Sequence, residues 1–188
     1  MIIKAGQLLG YVGGQTLDFG VYDYGIELPG LIKPDAYAER EPWKIHTVDP
    51  FPYFPAEIRE VLLQRSLRKV EPLAGKIDSD IDGKLSGNWF QQGTNWYAGS
   101  GGRGDWSGHL SIVPEHIDPI QWIFSIGDWS GYHDGSGTVQ YLIVDAEPNP
   151  QDVDVENGLV KYELGYVWYC SVDEPDRCGH AFTWDGSV

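Results

Sequence analysis

Basic residues are scarce in this chain. Thirteen Lys and Arg stand against 28 Asp and Glu, a formal charge of −15, and such a field repels nucleic acid and anionic membrane surfaces. No apolar run approaches the roughly 20 residues needed to span a bilayer. Met1-Ile2-Ile3-Lys4 has neither the long apolar core nor the cleavage site of a signal peptide, so export would need a leader not present here. Recognisable reaction motifs are missing too. There is no G-x-S-x-G elbow, no phosphate-cradling glycine loop and no H-E-x-x-H, so no catalytic residue is assigned.

Cysteine is nearly absent. Cys170 and Cys178 enclose seven residues, a spacing that suits a disulfide across a hairpin base if the Cα atoms lie within about 7 Å. Two free thiols are the alternative, and Cys-x7-Cys is not a zinc spacing.

What the chain does have is glycine, proline and aromatics: 24 Gly, 12 Pro, 8 Trp, 11 Tyr and 6 Phe, a mixture that favours strands and turns over helices. Its 188 residues suffice for a proper core. Residues 1–75 read as a short β-element followed by a proline-rich connector (Pro34, Pro42, Pro50, Pro52, Pro55, Pro72). One helix is expected from Pro55 to Lys69, with the proline opening it. Residues 76–188 read as the main domain, with strands near 76–81, 84–91, 108–113, 121–127, 138–145, 158–164, 165–171 and 179–184. The expected class is all-β and mainly antiparallel.

Leu85-Ser86-Gly87-Asn88-Trp89-Phe90-Gln91 carries the most information. Glycine permits a sharp backbone bend, and tryptophan supplies a large plug whose N–H must find a partner. The stretch resembles the opening strand of calycins, the lipocalin and avidin group. That resemblance implies an up-and-down β-barrel over 76–185, with Trp89 capping its closed end and a small molecule or glycan held at the open end. Asn88, Trp89, Gln91, Trp96, Tyr97 and Trp106 are the candidate contacts: aromatic faces stack on sugar rings, and amides orient polar groups; the competing reading is that most of the aromatics simply fill the barrel. The glycine-rich loop from Gly99 to Gly108, which contains Arg103-Gly104-Asp105, would border the mouth.

Lys4-Ala5-Gly6-Gln7-Leu8-Leu9-Gly10 resembles the late strands of lysostaphin-like zinc endopeptidases. On that alignment Thr16 and Asp18 stand where the family has its two histidines, and Gly20 replaces its acidic residue. The resemblance therefore implies a relative without the metal chemistry. It leaves a cell-envelope enzyme, or an accessory domain of one, as the second functional reading, in a secreted, periplasmic or cell-surface setting. A third is a self-assembling surface subunit, hence a homo-oligomer.

Asp78-Ser79-Asp80-Ile81-Asp82-Gly83 matches the first half of a calcium loop, where alternate carboxylates surround a hard cation. Position twelve of that loop is Trp89, not the glutamate that closes the shell. The competing reading is a strand followed by an Asp82-Gly83 hairpin turn. Among the histidines, His109 and His116 flank Pro114 and could approach one another across a hairpin; the favoured reading is that they are hydrogen-bonded surface or core residues, as scattered histidines in a β-protein more often are.

Overall fold

The computed structural model describes residues 2–4, 6–11, 19–38, 40–94, 108–127, 139–167, 169–170 and 178–179. Five strands form one antiparallel sheet: β1 (Gly87–Phe90), β2 (His109–Pro114), β3 (Trp122–Ile126), β4 (Val139–Ile143) and β5 (Leu164–Tyr166). They lie in the order β1-β2-β3-β4-β5, so every strand pairs with its neighbours in sequence. β6 (Tyr169–Cys170) and β7 (Cys178–Gly179) make a separate pair. The chain is all-β with few helices. The five-stranded sheet is open, with β1 and β5 at its two edges.

Register explains the core. Directly opposed residues of antiparallel strands share a face, and the columns Gly87–Ile112–Phe124–Tyr141–Tyr166 and Trp122–Ile143–Leu164 lie on one face. Ile112, Trp122 and Ile143 are buried there, with Leu85, Leu110, Phe124 and Tyr162 packed around them. The opposite face carries Asn88, Phe90 and His109. Phe90 meets Tyr37 edge-on at a centroid distance of 6.0 Å. Tyr37 belongs to a second small core with Leu31 and Ala36, formed around helix α1 (Asp35–Ala38).

The connector helix α2 runs only from Ala56 to Arg65, with Pro55 at the N-cap and no buried residue. Its expected extension to Lys69 fails because Ser66 turns extended (ψ 129°). Arg68 then folds inward. Its guanidinium donates to the carbonyls of Val70, Pro72 and His116 at 2.7–2.8 Å, tying the connector to the β2–β3 turn.

Residues 76–81 are not a strand; they are an extended clasp. The Gly30 amide donates to the Asp78 carboxylate (2.9 Å), the Asp80 amide to the Gly30 carbonyl (3.0 Å), and the Ile32 amide to the Asp80 carboxylate (3.1 Å). Both carboxylates thus reach residues 30–32. Through this clasp the segment before residue 75 is joined to the sheet domain.

The turn at Asp82-Gly83 forms as expected. The Lys84 amide donates to the Ile81 carbonyl (3.0 Å), and Gly83 has a positive φ of 71°. At the other end, the register sets Cys170 opposite Cys178. Such a pair has Cα atoms about 4.5–5.5 Å apart, within the range a disulfide spans.

A candidate binding cleft along the outer edge of β1

The turn at residues 81–84, strand β1 and residues 32–33 enclose a cleft of about 310 Å³. Trp89 and Asn88 both line it, together with Lys33, Asp80, Asp82 and Lys84. Trp89 is 45% exposed. Its indole N–H donates to the Leu85 carbonyl at 2.9 Å, which satisfies the polar atom and fixes the ring while leaving much of the residue accessible.

Asn88 is held on three sides. Its backbone N–H (2.9 Å) and its side-chain Nδ2 (2.8 Å) both donate to Asp80 Oδ1. With Nδ2 thus assigned, Oδ1 must be the atom facing His109 Nε2 at 3.2 Å, so His109 carries its proton on Nε2 and donates. The His109 ring stacks on Phe90 at 4.9 Å with 14° between planes. Burial of this ring, assisted by the charge of Lys44, lowers its pKa from 6.5 to about 4, and the imidazole is neutral at pH 7.

This has a consequence for stability. Between pH 6.5 and about 4 the unfolded chain binds a proton that the folded chain refuses, so acidification through that window favours unfolding. The expected loss traceable to His109 is about 3 kcal/mol on going from pH 7 to pH 4. Urea titrations across this range should show a shallower decline for His109→Phe than for the parent chain. Equal slopes would contradict the neutral, partly buried imidazole.

Lys84 connects the cleft to the loop between β4 and β5. Its ammonium donates to the Asp154 carboxylate (2.9 Å) and the Asp152 carbonyl (3.1 Å). The bond from Lys84 and then the Glu156 amide hold the Asp154 carboxyl below its usual range. The loop is stitched on further by Leu85 N–H to Val153 O (2.9 Å) and Ser86 N–H to Pro150 O (3.2 Å).

Asn88 and Trp89 share the cleft. Gln91 lies beyond the end of β1, its amide donating to the Gly108 carbonyl at 2.7 Å. Trp96, Tyr97 and Trp106 lie outside the described residues, as do Thr16 and Asp18. Asp78 and Asp80 accept backbone amides, as described above. Among the described residues, no three His, Cys, Asp or Glu side chains are grouped to hold a metal ion. His109 and His116 do not meet: His109 faces Asn88 and Phe90, while the exposed His116 bonds Glu115 at 2.6 Å. The parts of the site not anticipated are Asp80 as the anchor of Asn88, and Lys33 and Lys84 in the lining.

A second hollow of about 720 Å³ lies among residues 19–28, 47–53 and 72–78, lined mostly by apolar side chains and prolines. Thr47 Oγ1, which belongs to its wall, is buried without a hydrogen-bond partner. No helix among the described residues is long and apolar enough to cross a membrane. No protein-family model, curated protein or solved structure matches the chain.

Proposed function

We propose that this chain is a non-enzymatic binding protein that holds a glycan in the cleft along β1. The observation that carries the reading is the half-exposed Trp89 in a mainly apolar hollow, walled also by Ile32, Ile81 and Phe90, with carboxylate, ammonium and amide groups among its lining residues. A sugar ring offers an apolar face for the indole and alternating donors and acceptors for such a rim. Asn88, pinned by Asp80 and His109, is pre-oriented, which reduces the ordering cost of binding. The volume is at the small end for ligand sites and suits one or two sugar rings rather than a long chain. A secreted or cell-surface setting agrees with such a ligand. Closure of the sheet into a calycin-like barrel is not required by this reading, because the cleft lies at the edge of β1.

The test is isothermal titration calorimetry against hexamers of glucose (β-1,4 and α-1,4) and of N-acetylglucosamine. At least one is expected to bind. Trp89→Ala should weaken that binding about tenfold or more, the expected effect of removing a large stacking surface. Absence of binding by every hexamer, or equal binding by the alanine variant, would overturn the proposal.

A further inference from the structure

Neutral, anionic and cationic sugars meet different fields in the β1 cleft. Four ionised side chains line it: Lys33, Asp80, Asp82 and Lys84. Lys84 is already paired with Asp154 at 2.9 Å, and Lys33 likewise has a partner. Asp80 already accepts three N–H groups, from Ile32 and twice from Asn88. Asp82 differs. It occupies the exposed turn, and no hydrogen bond or ion pair ties its carboxylate to another described residue.

The surrounding protein bears a formal charge of −15. An anionic ligand would enter that field against Asp82. An ammonium at the edge of a ring stacked on Trp89 would gain the Asp82 carboxylate, which lines the same cleft. The geometry points to an amino sugar with a free ammonium, a deacetylated hexosamine, as the ligand class of the cleft. The inference rests on the glycan reading above and specifies its chemistry.

The experiment compares the glucosamine hexamer with the N-acetylglucosamine hexamer by calorimetry at about pH 6, where the amine is protonated. The free-amine hexamer is expected to bind about twofold to fivefold more tightly, from one partly exposed ion pair. Asp82→Asn should abolish that preference, read as the ratio of the two affinities measured on the same variant. Glu156→Gln removes one negative charge outside the cleft and should leave the preference intact.

A preference that survives in Asp82→Asn, or one that falls equally in Glu156→Gln, would overturn the inference. So would Nα-acetyl-lysine methylamide binding as tightly as the hexamer, because the ammonium would then be recognised on a peptide side chain. If the two hexamers bind equally and Trp89→Ala abolishes both, the amino-sugar inference falls and the glycan reading stands. If neither these nor the glucose hexamers bind, both fall.

Discussion

Gly87→Ala is expected to cost about 3–5 kcal/mol of folding stability, a large share of a total that is of order 5–15 kcal/mol for a folded domain. Two independent causes combine at this residue. Its φ is +134°, a region closed to side chains other than hydrogen. A Cβ built there would also lie 2.9 Å from Asp80 Cα and 2.8 Å from Asp80 Oδ1. The first neighbour is backbone and cannot swing aside. Urea unfolding followed by tryptophan fluorescence measures the effect through the midpoint. A loss below about 1 kcal/mol would mean that the close passage of residue 80 over the start of β1 is not maintained in solution.

Asp80→Ala is the second substitution with a large expected effect. One carboxylate accepts the Ile32 amide, the Asn88 amide and the Asn88 side chain at 2.8–3.1 Å. Its removal strands three donors, and a stranded buried donor costs about 1–3 kcal/mol, less where water can reach it. Ile32 is half exposed, so water will partly satisfy its amide. The expected loss is about 3–4 kcal/mol. Hydrogen exchange provides the specific readout. The Ile32 and Asn88 amides should lose protection by much more than the amides of β3. Uniform loss across the sheet would show a general rather than a local role. Because Asn88 lines the cleft, glycan binding should weaken in the same variant even where it remains folded.

The sheet was legible in the sequence because its strands are dense in β-branched and aromatic residues flanked by turn formers. Trp122–Ile126 and Val139–Ile143 fall inside the expected runs, bounded by glycine and aspartate. Asp78 to Ile81 was not legible in the same way. Its alternation looks like a strand or a cation loop, yet its partners are the amides of residues 30–32, some 48 positions away in sequence. Nothing local in a sequence distinguishes a carboxylate that awaits a metal from one that awaits an N–H. The end of α2 was missed for a related reason. Arg68 reads as a continuing helical residue, but its guanidinium is called inward by the carbonyl of His116. The cleft was half legible: the Trp89 and Asn88 pair announces itself, whereas Lys84 becomes part of the lining only once its turn has folded against β1.

The bond from the Asn88 amide to Asp80 also bears on how the molecule behaves in a crowd. A strand at the rim of an open sheet offers unpaired main-chain donors to any passing chain, the usual first step toward aggregation. Here a carboxylate occupies one such donor and places a negative charge beside it, acting as a stopper where a foreign strand would otherwise seat itself. The same side chain that orders the rim internally thus keeps it closed to neighbours, and its loss should favour fibrous or amorphous precipitation as well as unfolding.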